Sequence, residues 1–163
     1  MNDQMTNKEI LKELDSILTG FWLTDLANFA AHFYANVPNI NWIGFYLTDG
    51  ERLRLGPFNG KVACTEIEFD RGVCGAAFTK HEVMNVPDVH KFPGHIACDS
   101  ASISELVIPF EVNGDLCGVL DIDSPTAERF NASDVELFTK AIEVLAKRIN
   151  YFPSFHESSS KGF

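Results

Sequence analysis

The chain has 163 residues, 45% of them hydrophobic, which suits one globular domain with a sizeable core. Its formal net charge of -10, with only 13 lysines and arginines, argues against binding to nucleic acid or an anionic membrane, because both need clustered cations. The N-terminus has no signal-peptide pattern and no stretch approaches a membrane span, so we expect a cytoplasmic protein. Four cysteines in a reducing compartment predict reversible disulfide chemistry rather than a structural framework.

Two helices are predicted at the start of the chain. Apolar residues recur at helical spacing from Asn7 to Val37, and Thr19 and Gly20 interrupt the pattern. Apolar and polar residues then alternate on both sides of the Asp49-Gly50 pair. An Asp-Gly pair in such a pattern is a strong signal for a hairpin turn. The two strands of this first hairpin are predicted at Ile40–Leu47 and Arg52–Leu55.

The sequence in the middle of the chain predicts a short helix between two short strands. The strands are expected at Glu66–Phe69 and Val83–Val86, and the helix from about Gly72 to His81. The segment Pro87–Ala101 combines proline and glycine with histidine and aspartate. It is therefore expected to be an irregular functional loop.

A second hairpin and a last helix complete the chain. The turn is Asn113-Gly114, between strands predicted at Glu105–Val112 and Leu116–Asp123, and Asn131 or Ser133 can cap the helix that follows. These elements predict an α+β fold with helices packed on an antiparallel sheet. We expect one domain over residues 1–152 and a polar, disordered tail over residues 153–163.

Three acidic residues of the second hairpin are predicted to form a cluster. Asp121 and Asp123 are two apart on one strand, so they point to the same face. Glu105 and Asp123 are nearly equidistant from the turn, so they should lie close together on paired strands. If that face is buried, the acids need a cationic partner or a raised pKa. The alternative is that the two aspartates lie at a frayed, solvated strand end.

Two aromatic residues share one face of the first hairpin. Trp42, Gly44 and Tyr46 alternate with apolar residues that point the other way. Gly44 could leave a slot between the two rings for an aliphatic or thioether group. Simple core packing is the alternative for such an aromatic pair.

The four cysteines lie in different environments. Cys74 stands between glycines at a predicted helix start, where free backbone amides stabilise a thiolate. Cys98 follows a loop that contains histidines, and Cys117 lies in an apolar strand where it is expected to be a small buried hydrophobe. For Cys64, Cys74 and Cys98 taken singly, a structural role stays an equal alternative.

Metal and phosphate sites are disfavoured. His90, His95 and Cys98 are zinc-type ligands, yet their spacing matches no compact zinc site. Cys74 lies in a glycine-containing loop that lacks the Lys-Ser/Thr pair of a nucleotide site. We therefore expect neither a metal nor a cofactor.

Four motifs, taken together and in order, closely resemble the free methionine-(R)-sulfoxide reductases, which are single GAF-domain proteins. They are GPFNGKVAC, RGVCGAAF, GHIACDSASISELVIPF and GVLDIDS. The resemblance is dense from about Asn39 to Asp123 and looser in the flanking helices. It implies a GAF domain with a six-stranded antiparallel sheet and helices on both faces.

The resemblance also implies an activity and roles for the cysteines. The substrate would be free methionine (R)-sulfoxide, with Cys98 as nucleophile and Cys64 as the cysteine that resolves the intermediate by forming a disulfide. Cys74 would be auxiliary. Thioredoxin would then reduce the disulfide. The positions that match the family's substrate-binding residues are Trp42, Tyr46, Glu105, Asp121 and Asp123.

The implied chemistry suits these residue types. A thiolate attacks the sulfoxide sulfur, and a neighbouring acid protonates the departing oxygen. A GAF ligand sensor without chemistry is the alternative function. We also expect a homodimer in which the first and last helices pair between subunits.

Overall fold

The computed structural model describes residues 4–95 and 100–155, and this part of the chain contains four α-helices and a six-stranded sheet. A turn of 3-10 helix, Val89–Lys91, lies in the segment that was expected to be a functional loop. The elements in chain order are α1 (Asn7–Ile17), α2 (Trp22–Asn36), β1 (Trp42–Thr48), β2 (Arg52–Gly60), β3 (Glu66–Glu68), α3 (Gly72–Lys80), β4 (Met84–Val86), β5 (Ser104–Val112), β6 (Asp115–Ser124) and α4 (Ala132–Arg148).

The sheet is antiparallel throughout, with strand order β3-β2-β1-β6-β5-β4. Helix α2 packs on β1 and β2, α4 packs on β5, and α1 packs on both of these helices. Helix α3 instead contacts β3, β4, β5 and β6. The predicted α+β architecture, with a six-stranded sheet and helices on both faces, is confirmed.

Side-chain caps set the start of two of the helices. Thr6 is the N-cap of α1 and Asn131 the N-cap of α4, each in a reciprocal capping box with the acidic residue three positions later. Between α1 and α2, the buried carboxylate of Asp25 accepts hydrogen bonds from the backbone N–H groups of Thr19 and Gly20. The predicted interruption at these two residues is therefore a fixed bend.

Strand β2 is longer than predicted. It was expected to end at Leu55, before Gly56 and Pro57, but it continues to Gly60. Tyr46 pairs with Leu55 and Gly44 with Phe58, so Gly56 and Pro57 lie in a bulge opposite a single residue of β1. A bulge accommodates a proline because the regular ladder of hydrogen bonds is already interrupted there.

The two faces of the sheet carry separate apolar clusters. The larger one, between the sheet and α1, α2 and α4, includes Phe33, Phe45, Leu120 and Phe138. The smaller one lies between the sheet and α3 and includes Trp42 and Tyr46. In residues 4–95 and 100–155, no helix is both long and apolar enough to cross a membrane.

Candidate active site

A pocket opens on the face of the sheet that carries α3. Strands β1, β5 and β6 form its floor, the first turn of α3 forms one wall, and the chain between β2 and β3 lies at its mouth. We call it the acid pocket. Its central residues are Trp42, Tyr46, Cys74, Glu105, Asp121 and Asp123.

The pairing of three strands brings the acids together. Glu105 of β5 is directly opposite Asp123 of β6, and Asp123 is in turn opposite Trp42 of β1. Asp121 lies opposite Gly44 on the same face. Glu105 and Asp121 are buried and Asp123 is half-buried, which confirms the predicted cluster. The alternative of a frayed, solvated strand end is wrong.

Burial and crowding keep part of this cluster protonated. Burial, with a further contribution from Asp123, raises the pKa of Glu105 to about 8. Burial and the charge of Glu105 also raise the pKa of Asp121 well above its ordinary value. Within the described residues, Oδ1 of Asp121 is buried without a hydrogen-bond partner. An unpaired buried carboxylate oxygen is costly, and a bound cation would satisfy it.

Cys74 is a buried thiol rather than the predicted thiolate. Its Sγ donates a long hydrogen bond of 3.8 Å to Oε1 of Glu105. Burial raises the pKa of the Cys74 thiol well above its ordinary value, and the charges of Asp121 and Glu105 raise it further. The helix start that should stabilise a thiolate is present, but burial beside two acids outweighs its effect.

The two aromatic residues form one wall of the acid pocket. The rings of Trp42 and Tyr46 are stacked with centroids 5.8 Å apart, and Trp42 is also stacked on Phe58 at 5.3 Å. The slot predicted over Gly44 is absent, because a Cβ atom at Gly44 would lie 2.4 Å from Cβ of Phe58 and 2.6 Å from the Trp42 ring. Gly44 therefore permits ring packing and does not hold a ligand.

The mouth of the pocket carries two cations, which the sequence did not predict. They are the exposed residues Lys61 and Arg71, and His95 and the buried Ser102 also line the pocket. Burial lowers the pKa of His95, and the charge of His90 lowers it further. These residues belong to three separate loops, so their common position follows from the fold and leaves no motif in the sequence.

The structure places the remaining cysteines differently. Cys64 is disulfide-bonded, whereas Cys74 and Cys117 are free thiols. Cys117 is buried in the larger apolar cluster, as predicted, on the other face of the sheet from the acid pocket. The predicted nucleophile Cys98 and its neighbour Asp99 lie outside the described residues.

Only one group of described residues has the geometry of a metal site. Single ligand atoms of Cys74, Glu105 and Asp121 lie within 4.8 Å of one another. Their mutual hydrogen bonding accounts for this proximity without an ion. In the loop with histidines, His90 pairs with Asp88 at 3.1 Å and its ring centroid is 6.3 Å from that of His95.

Comparison with known proteins assigns the family. The GAF domain model matches residues 23–149. A free methionine-R-sulfoxide reductase of Escherichia coli is 42% identical over 149 residues, which cover 90% of each chain. The chain belongs to the free methionine-R-sulfoxide reductase family of GAF domains. The family resemblance read from the four motifs is confirmed.

Solved structures of this family have the same fold. That of fRMsr of Staphylococcus aureus in its reduced form superimposes with a TM-score of 0.86 at 37% identity, covering 90% of this chain and 97% of that one. The Neisseria meningitidis free methionine-R-sulfoxide reductase, determined in complex with its substrate, gives a TM-score of 0.83 at 40% identity, covering 87% of both chains.

Proposed function

We propose that this protein reduces free methionine (R)-sulfoxide to methionine. The observation that carries the proposal is a buried carboxylate cluster beneath a stacked aromatic wall, with Oδ1 of Asp121 left without a partner among the described residues. A free amino acid differs from a residue within a protein by its ammonium and carboxylate groups. The acid pocket has carboxylates on its floor and cations at its mouth, which is the matching arrangement of charge.

The substrate-binding roles follow from this arrangement. The substrate ammonium pairs with Asp121 and Asp123, which replaces the water lost by those carboxylates on burial. The Trp42 and Tyr46 rings lie against the methylthio end, where an apolar surface suits the methyl group. Lys61 and Arg71 at the mouth are positioned to attract the substrate carboxylate.

Reduction begins with attack of the Cys98 thiolate on the sulfoxide sulfur. The oxygen leaves that sulfur only when it is protonated, and the Glu105–Asp121 pair supplies the proton. The pKa of Glu105 is raised to about 8, so a proton is held on this pair at neutral pH. The protonated oxygen passes from the substrate sulfur to Sγ of Cys98 as the transient bond between the two sulfurs breaks, so methionine is released as a thioether and Cys98 becomes a sulfenic acid.

The second step converts the sulfenic acid into a disulfide. The Cys64 thiolate attacks the Cys98 sulfenic sulfur, an S–S bond forms, and the oxygen leaves as water after taking up a proton. Two electrons have passed from the two thiols to the substrate. The disulfide-bonded state of Cys64 supports this role. Thioredoxin then reduces the disulfide by thiol exchange.

Cys74 has an auxiliary role in this scheme. Its pKa is raised by burial and by the acids, so it does not supply a thiolate at neutral pH. Its hydrogen bond to Glu105 instead helps to set the geometry of the proton donor. We expect Cys74→Ser to slow methionine release and to leave disulfide formation possible.

The decisive experiment uses the separated R and S sulfoxides of free methionine and counts thiols before and after one turnover. The R sulfoxide should yield one methionine and consume two thiols per chain, and the S sulfoxide should yield none. Cys98→Ser should abolish methionine formation. Cys64→Ser should release one methionine and then stall in the presence of thioredoxin, while the control Cys117→Ser should turn over normally.

Binding of the sulfoxide without methionine release or thiol loss would contradict the proposal and identify a ligand sensor. Full turnover by Cys98→Ser would contradict the assigned nucleophile.

We propose a homodimer. Helices α1 and α4, expected to pair between subunits, pack on each other within one chain, which does not prevent the same pair from contacting a partner. A second candidate surface lies where the start of α2 meets Tyr151, with the exposed apolar side chains Phe21, Leu23 and Tyr151. Light scattering of the purified protein measures the assembly state, and a cytoplasmic location remains part of the proposal.

A further inference from the structure

The chain that carries Cys64 is tied to the wall of the acid pocket. We call residues 61–65, which connect β2 to β3, the Cys64 loop. The Tyr46 hydroxyl donates a hydrogen bond of 2.9 Å to the backbone carbonyl of Cys64. The indole N–H of Trp42 donates one of 3.0 Å to the carbonyl of Lys61. Both aromatic residues of the pocket thus hold the backbone of this loop.

Few buried side chains hold the loop in place. Val62, in its middle, is 89% exposed, and Cys64 itself is half-buried. The disulfide of Cys64 fixes the loop in the oxidised protein. Once that disulfide is reduced, a loop with so little buried apolar surface depends on local hydrogen bonds, so the position of the Cys64 sulfur then depends on the side chains that bind the loop's carbonyl groups.

The far end of the loop has a separate attachment. Leu55 donates its backbone N–H to the carbonyl of Thr65 at 3.0 Å. The carboxylate of Glu66, the next residue, pairs with both Arg52 and Arg54 of β2. These ion pairs are half-exposed, so each stabilises the attachment weakly.

The Tyr46 hydroxyl acts as a hydrogen-bond donor. Tyr46 is 1% exposed, and burial together with the charge of Asp121 raises the pKa of its phenol. The hydroxyl stays protonated through the physiological range and donates to the Cys64 carbonyl. The same ring lines the acid pocket, so one side chain contacts the space for substrate and the backbone of the cysteine.

We propose that Tyr46 is a positioning residue for Cys64, which it holds in the orientation needed to attack the sulfenic acid. This inference rests on the proposed function and extends the role of Tyr46 beyond lining the pocket. It concerns the second step only, in which the S–S bond forms and water leaves. The hydroxyl itself exchanges no proton in that step, and the aromatic ring alone contributes to the first.

The experiment separates the two steps in Tyr46→Phe, which keeps the ring and removes the hydroxyl. Rapid quenching after one equivalent of methionine (R)-sulfoxide measures methionine release, and trapping with dimedone measures the lifetime of the sulfenic acid. The loss of one buried hydrogen bond should slow disulfide formation about three- to tenfold more than it slows methionine release. Tyr34→Phe, which removes an exposed hydroxyl from α2, is the matched control and should change neither rate.

Equal slowing of both steps, or of methionine release alone, would overturn the inference and assign Tyr46 to substrate binding only. Absence of methionine release from the unmodified protein would instead overturn the proposed function.

Glu66→Gln provides a second test that does not depend on how Tyr46→Phe folds, because Glu66 is exposed. It weakens the other attachment of the loop and should slow disulfide formation about twofold with methionine release unchanged. An unchanged sulfenic acid lifetime in both variants would overturn the proposed control of Cys64 by its loop.

Discussion

The two faces of the sheet are built from the same strands and each carries an apolar cluster, but they differ in the acids that they bury. On the face covered by α1, α2 and α4, most of the buried residues of β1, β5 and β6 are apolar, among them Phe45 and Leu120. On the other face, positions of the same strands carry Glu105 and Asp121, buried to a similar extent. The first face stabilises the fold, and the second holds buried acids at a cost to stability.

Among substitutions of residues other than the cysteines, Asp121→Asn should have the largest effect on activity. It removes a carboxyl group that shares a proton with Glu105 and pairs with the substrate ammonium, so kcat/KM should fall about a hundredfold or more. The same change should raise the free energy of unfolding by about 1 kcal/mol, because a buried acid is removed. Steady-state kinetics and urea unfolding measure the two effects. Asp115→Asn, at an exposed position of β6, is the control. Equal activity of the two variants would contradict the assignment of the acid pocket as the active site.

Phe138→Ala tests the apolar face. Phe138 is fully buried against Phe33, so truncation should lower the free energy of unfolding by about 3–5 kcal/mol. Activity per folded molecule should be retained, because the sheet separates Phe138 from the acid pocket. Urea unfolding, together with activity at low denaturant, measures both. Leu23→Ala, at a half-exposed position, should lower the free energy of unfolding by less than about 1 kcal/mol. A loss as large as that of Phe138→Ala would contradict the stabilising role of the apolar face.

The pH dependence of stability reports on Glu105. Its pKa is raised from 4.5 to about 8, so the folded protein binds a proton that the unfolded chain releases. This contribution to stability is fully present below about pH 4.5 and is lost as the pH rises through about 8. Glu105→Gln should flatten the fall in the free energy of unfolding over that window. Glu82→Gln, at an exposed position, should leave the fall unchanged, and an unaltered profile in both variants would contradict the raised pKa.

Glu136→Gln should have the smallest effect. Glu136 pairs with Lys140 one turn later on the exposed side of α4, where water screens the pair, so it contributes little to stability. Activity should be unchanged, since this surface faces away from the pocket. Urea unfolding at low and high salt measures the contribution, which salt should screen. A loss of stability comparable to that of a buried side chain would show that α4 depends on more than its apolar face.

The sequence predicted the acid cluster because pairing distances in a hairpin follow from its turn. The Asn113-Gly114 turn fixed which residues of β5 and β6 face each other, and Glu105 lies opposite Asp123 as expected. The extension of β2 was missed because Gly56 and Pro57 indicate an end of a strand as readily as a bulge. Local pattern cannot distinguish these two cases, since the partner strand decides between them.

The local sequence pattern also could not predict the environment of Cys74. A helix start favours a thiolate, and only the fold shows that Glu105 and Asp121 from distant strands lie beside it. The bond from Tyr46 to Cys64 is of the same kind, because it joins a strand to a loop eighteen positions away. Contacts between loops and strands depend on packing in three dimensions, which periodicity does not record.

Cys117 lies behind the sheet from the other described cysteines, and this partition has a practical use. A disulfide requires Cα atoms within about 7 Å, a geometry that a sheet lying between two thiols does not allow. Cys117 should therefore keep its thiol when the cysteines on the pocket face are oxidised, and a thiol reagent should always recover it after unfolding. That constant thiol would serve as a built-in standard against which oxidation of the remaining cysteines can be counted.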